Sequence, residues 1–293
     1  GIKLIPAFQQ IYSSLASVTA SIGALESIHE DLINSAKVNT SLLKQEQGHL
    51  IPKQQISLEN ITFTYPGKEE PTLNQLNILL PVNKTVGIIG SSGSGKSTLI
   101  DVLLGLIEPQ EGQLKIDSTI INNKNRRSWQ NNIGFVAQSI FLSEGTISEN
   151  VAFGIPEKQI DIALVQKALE LAHLIDLVNT LEHGMHTKVG ERGVKLSGGQ
   201  RQRIGIARAL YHKAKVLIFD EATSSLDGIT EKMIMQAIDQ FSGQKTIIMI
   251  AHRLKTIQKC DQIYVIDNGK VADQGTFDEL LETNEMFKKM ANH

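Results

Sequence analysis

GSSGSGKS, residues 90–97, is the stretch on which the reading of this chain turns. It matches G-x-x-x-x-G-K-[ST] in full, and its flanks give the match its meaning. Ahead of it TVGIIG (85–90) is an apolar run of buried-strand length, and behind it STLIDVLLGL (97–106) has the content of a packed helix. A strand running into a glycine-rich loop that opens a helix is the context a phosphate-binding loop requires; a flexible Gly/Ser linker needs neither flank. Gly90, Gly93 and Gly95 let successive backbone N–H groups curl round an anion, and the helix adds its positive N-terminal end. Lys96 reaches the outer phosphates and Ser97 offers a hydroxyl to Mg²⁺. Ser91, Ser92, Ser94 and Thr98 complete the candidate nucleotide-binding set.

A nucleotide site also needs an acid to organise the metal and, for hydrolysis, a group to activate water. VLIFDE (216–221) supplies both. Four apolar residues read as a buried strand, Asp220 ends it as the candidate Mg²⁺ acid, and Glu221 follows as the candidate base.

Composition excludes several other classes. With 29 basic and 31 acidic residues the formal charge is −2, which gives no electrostatic footprint for nucleic acid. The pairs Arg126/Arg127 and Arg201/Arg203 therefore read as solvated or phosphate-facing. The single cysteine, Cys260, excludes a disulfide framework and reads as a packing residue in a reducing compartment.

The first 50 residues have a different character. LIPAFQQIYSSLASVTASIGAL (4–25) carries no charge, yet its Ser, Thr and Gln residues interrupt the apolar run that a lipid-exposed span needs. It also lacks the compact apolar centre and cleavage site of a signal peptide. Helix-compatible spacing continues through Leu25, Ile28, Leu32 and Ile33, and breakers come only near Gly48 and Pro52. The expectation is one helix of about 40 residues, roughly 60 Å long. Beyond it ISLENITFTY (56–65) and LNILLP (76–81), separated by PGKEEP, read as antiparallel strands.

Between the two nucleotide motifs lies LSGGQRQR (196–203). A lone SGG is also what an ordinary loop leading into a helix looks like, but its place before the acidic strand is distinctive. LSGGQ resembles the signature of the ATP-binding cassette ATPases, and the chain from about residue 56 to 287 resembles their transporter nucleotide-binding domains. Ser197, Gly198, Gly199 and Gln200 would form a second anion-binding cap at a helix N-terminus. The resemblance implies that this cap serves ATP held by the opposite subunit, giving a head-to-tail homodimer. It also implies that Tyr65 stacks on adenine, that Gln138 joins Mg²⁺ and the attacking water to a helical subdomain, and that Asp227 belongs to a loop crossing the dimer interface. His252 would contact the γ-phosphate. VGERG (189–193) is similar to the segment with which exporters touch the membrane domains of both subunits.

The resemblance implies an α/β fold: a P-loop NTPase core with an antiparallel β subdomain and an α-helical subdomain (about 139–213), preceded by a long N-terminal helix. Residues 1–50 would be the cytoplasmic end of the last transmembrane helix plus a linker, and residues 51–293 the ATPase domain. The expected partners are a second copy and the transmembrane domain of the same polypeptide, with ATP and Mg²⁺ as ligands and no nucleic acid. The expected location is the cytoplasmic face of the inner membrane. A soluble cassette ATPase would carry coiled-coil insertions or a duplicated cassette, a regulatory module would have replaced Glu221 or His252, and an importer ATPase would lack the opening helix. IPAFQQIY (5–12), IPEKQID (155–161) and LYHKAK (210–215) are similar to exporters that flip lipid-linked oligosaccharides, with lipid A and peptide exporters as alternatives.

Overall fold

The computed structural model describes residues 4–37, 48–222, 228–251 and 253–291. The chain divides into two units, residues 1–46 and residues 47–293. The first contains helix α1 (Leu4–Lys37), 34 residues long, with the remainder of the expected 40 outside the described residues. Its Ser13, Thr19, Ser21 and Ser27 hydroxyls donate to carbonyls three or four residues back, which satisfies them without water. No helix among the described residues is long and apolar enough to cross a membrane.

The second unit opens with strands β1 (Gln55–Phe63) and β2 (Leu73–Pro81), which pair antiparallel as expected. β1 stops two residues short of Tyr65, where Phe63 pairs with Leu73, the first residue of β2; register shifts between Leu58 and Ile61 and between Ile61 and Phe63 interrupt the ladder without ending it. Strand β3 (Thr85–Gly90) and helix α2 (Lys96–Leu103) bracket the glycine-rich loop. Strands β4 (Glu111–Ile116) and β5 (Thr119–Ile120) complete a four-stranded antiparallel sheet in the order β2-β1-β4-β5. Helix α3 (Arg126–Gln130) and strand β6 (Ile133–Val136) follow. The expected helical subdomain comprises α4 (Ile147–Val151), α5 (Ile162–Leu171), α6 (Ile175–Thr180) and α7 (Gly198–Tyr211). The chain then returns through β7 (Val216–Asp220), α8 (Gly228–Asp239), β8 (Thr246–Ile250), α9 (Leu254–Ile257), β9 (Gln262–Asp267), β10 (Lys270–Gly275), α10 (Phe277–Thr283) and α11 (Glu285–Ala291).

The second sheet runs β10-β9-β3-β8-β7-β6, parallel throughout except for β10. Its central strands read as unbroken apolar runs because both faces are covered. Ile88, Ile218 and Ile248 enter one apolar cluster with α2 and the antiparallel sheet, while Ile89, Leu217 and Ile247 enter another with the helical subdomain and α8. α2 is thus buried among residues of both sheets, and the Tyr264 hydroxyl ties the sheets together by donating to the Leu79 carbonyl at 2.7 Å. Cys260 is buried, and its thiol is pushed up to about 12 by burial and by the nearby Asp261 and Asp239 carboxylates. It is the packing residue that composition indicated.

Candidate functional site

The loop after β3 is shaped by close approaches that only glycine allows. A Cβ on Gly90 would lie 2.2 Å from the Ile266 carbonyl oxygen and 2.6 Å from Ser94 Oγ. Gly95, the N-cap of α2, has φ +106°, and a Cβ there would lie 2.8 Å from the Thr72 carbonyl oxygen. Lys96 begins α2, is 7% exposed, and donates from Nζ to the carbonyls of Gly90 and Ser91, each at 2.8 Å. Burial lowers its pKa, opposed by the fields of Glu221 and Asp220, so both acids act on this ammonium. Ser91, Ser92, Gly93 and Ser97 are exposed along the loop. Ser94 Oγ is buried and has no hydrogen-bond partner among the described residues.

Tyr65 lies beside this loop, with its hydroxyl 3.3 Å from buried Thr98 Oγ1. Its ring meets Phe63 edge-on at 4.9 Å, and the Lys68 ammonium stands 5.9 Å from its centroid.

Asp220 ends β7 between the parallel strands β6 and β8. Glu221 follows with φ 48°, a left-handed backbone that a non-glycine residue seldom adopts, held by its N–H donating to the Ile250 carbonyl at 2.9 Å. Gln138 comes from the segment after β6, and its Nε2 donates to Glu221 Oε2 at 2.8 Å. Two residues far apart in sequence, both marked from the sequence, are thus in direct contact. No cluster of three His, Cys, Asp or Glu able to hold a metal occurs among the described residues. A Mg²⁺ site of Ser97, Asp220 and Gln138 would draw its remaining ligands from phosphate and water, as Mg²⁺ sites in nucleotide enzymes do.

Ser197 caps α7 in a reciprocal box: its Oγ accepts from Gln200 N at 3.2 Å, and Gln200 Oε1 accepts from Ser197 N at 2.9 Å. Ser197 and Gly198 are exposed, and no hydrogen bond among the described residues joins residues 197–200 to the phosphate loop. Asp227 and His252 lie outside the described residues.

Three polar residues that sequence reading missed build the helical subdomain. Gln202, 3% exposed, donates to the Ala137 carbonyl, fastening the signature helix to the residue before Gln138. Arg208 donates to the carbonyls of Asn150 (2.9 Å) and Phe141 (3.1 Å) and lies 4.6 Å from the Phe153 ring centroid. Asn150, fully buried, bonds the carbonyls of Ser143 and Thr146. Arg201 and Arg203 are not the solvated or phosphate-facing pair expected, since they donate to the carbonyls of Leu196 and His173. Phe141 and Phe153 remain 62% and 44% exposed, an apolar pair on the face of this subdomain.

With this geometry, a family model described as ABC transporter matches residues 73–224. The chain belongs to the ABC transporter family. An ATP-dependent lipid A-core flippase of Cupriavidus pinatubonensis is 40% identical to this ABC transporter chain over 236 residues, covering 80% of the chain and 40% of that protein. The Escherichia coli flippase of the same name is 38% identical over 235 residues, again covering 80% of the chain and 40% of its own length. Among solved structures, a bacterial Atm1-family ABC exporter with ATP bound superimposes with a TM-score of 0.78 at 35% identity, covering 84% of the chain and 43% of that exporter. The chain therefore spans about two fifths of the length of these curated relatives.

Proposed function

We propose that this chain is the ATP-hydrolysing motor segment of an exporter-type ABC transporter. The observation that carries the reading is the 2.8 Å hydrogen bond from Gln138 to Glu221 beside the Lys96 loop, which brings a candidate base and its orienting amide to the place where an outer phosphate would end. The glycine cradle and the unpartnered Ser94 hydroxyl suit an anion with several acceptor oxygens, so the residues present fit ATP. Residues 91–97 would bind the phosphates through backbone N–H groups and Lys96, and Tyr65 would offer its ring to the base. Mg²⁺, held by Ser97, Asp220 and Gln138, would supply charge neutralisation at the phosphates. Glu221 would take the proton of the attacking water, its carboxylate oriented by Gln138.

The exposed cap of residues 197–200 supports a second ATP contact in trans, so two copies would close head to tail around two nucleotides, with Asp227 and His252 completing each site. Phe141 and Phe153 beside the Gln138 segment would receive helices of the transmembrane domain, which would lie in the part of the relatives' length this chain does not span. α1 would be the cytoplasmic end of the last of those helices, at the inner face of the membrane. The relatives named above are lipid A-core flippases, which favours a lipid cargo over the lipid-linked glycan.

The test is Glu221→Gln in the complete transporter. ATP-dependent dimerisation should persist while ATP turnover falls about 10²–10⁴-fold. Turnover equal to the parent would remove Glu221 from the mechanism.

A further inference from the structure

A groove of about 660 Å³ opens between the start of α8, α9 and α11, and none of residues 90–98 lines it. That volume is within the range of small-molecule sites, about 300–1,000 Å³. Its apolar surface comes from Leu254, Met286 and Met290. Two of the three are methionines, whose unbranched chains repack around ligands of varied shape.

Charge on the lining is asymmetric. Among the described residues Glu231 is the one acid that lines it, and its carboxylate is already engaged by Arg253 Nη1 at 3.5 Å and Thr256 Oγ1 at 3.3 Å. Lys255 and Lys289 also line the groove, and neither has an ion pair among the described residues. Neighbouring Lys288 differs, since it is paired with Glu285 at 2.9 Å. The groove therefore presents apolar side chains beside two ammonium groups that make no direct ion pair among the described residues, with the charge of Lys289 partly offset by the exposed Glu285 carboxylate. We infer that it binds a single-chain anionic amphiphile, with the head group at Lys255 and Lys289 and the chain on Leu254, Met286 and Met290. Residues 90–98, Gln138, Asp220 and Glu221 do not line this groove, and the inference does not depend on the ATP reading.

The chain has six methionines, so methyl-¹³C methionine labelling of the full chain gives a readout fixed to position. Laurate below its micelle concentration is the probe, and dodecyltrimethylammonium is its chain-matched cationic control. Laurate should shift the Met286 and Met290 methyl signals saturably and leave those of Met185 and Met249 in place. The cationic amphiphile should bind at least about tenfold more weakly, as expected if two ammonium groups set the preference. Lys255→Glu with Lys289→Glu, both at exposed side chains, should reverse that order while the melting midpoint stays put. Equal affinity for the two amphiphiles overturns the inference, as does movement of all six signals together or none at Met286 and Met290. Shifts of those two signals on raising protein concentration without laurate would also overturn it, by making a second copy the occupant.

Discussion

Glu221 combines a left-handed backbone with the position of the proposed base, and its substitutions separate the two properties. With φ 48° the residue carries a conformational cost of about 1–2 kcal/mol that glycine does not have. Glu221→Ala and Glu221→Gly lose the same carboxylate and the same hydrogen bond from Gln138, so that loss cancels when the two are compared. What remains is the relief of strain in the glycine variant, less the greater freedom of its unfolded chain, about 0.5–1 kcal/mol. The difference spans about 0–1.5 kcal/mol and centres on about 0.75 kcal/mol in favour of glycine, the reverse of the ordinary order in regular structure. For a domain of this size that corresponds to a midpoint about 1–4 °C higher for glycine in thermal melts followed by circular dichroism. Both variants should lose ATP turnover to the same extent. An alanine variant that melts at or above the glycine variant would refute the argument that backbone strain is held at this position.

Gln138→Ala should lower ATP turnover at least about tenfold, because the amide orients Glu221, and should weaken Mg·ATP binding by a smaller factor, because it is one of three proposed Mg²⁺ ligands; steady-state hydrolysis and equilibrium binding separate the two. Burial holds the Lys96 ammonium below the ordinary lysine value, so it deprotonates earlier as pH rises. ATP affinity should therefore decline on the alkaline side sooner than a solvated lysine at about 10.4 would give, and Lys96→Arg should flatten that decline; an unchanged slope in the arginine variant would count against the assignment. Arg208→Ala should cost about 2–3 kcal/mol in denaturant unfolding, since the carbonyls of Asn150 and Phe141 lose a charged donor, and a loss under about 0.5 kcal/mol would show that the guanidinium is dispensable.

Much of the candidate site was legible because its residues are local in sequence. The phosphate loop is one contiguous segment, and β3 falls on the residues that the apolar run marked, since a strand covered on both faces has no polar positions to blur its ends. Asp220 and Glu221 stood out for a similar reason, as charges at the end of a buried strand. Less legible were features set by distant partners. Tyr65 falls outside β1 because its partner strand β2 begins only at Leu73, opposite Phe63, a limit set by the distant strand. Asn150, Gln202 and Arg208 look in sequence like ordinary surface residues of short helices. Their roles arise from carbonyls at Ser143, Ala137 and Phe141, which no local period reveals. The left-handed turn at Glu221 was equally hidden, because glutamate gives no local signal for it.

The way the phosphate loop is closed bears on how the chain is made. β3 lies between β8 and β9, and the Ser94 carbonyl accepts from the N–H of Gly269, whose own carbonyl accepts from Asn74. The loop is therefore finished by a turn that leaves the ribosome about 170 residues after it, some ten to thirty seconds later at ordinary elongation rates. Until residues 246–267 have been made β3 lacks its neighbours β8 and β9 and remains an apolar segment with open edges. A nucleotide that requires the finished loop would act only on chains already synthesised past Gly269.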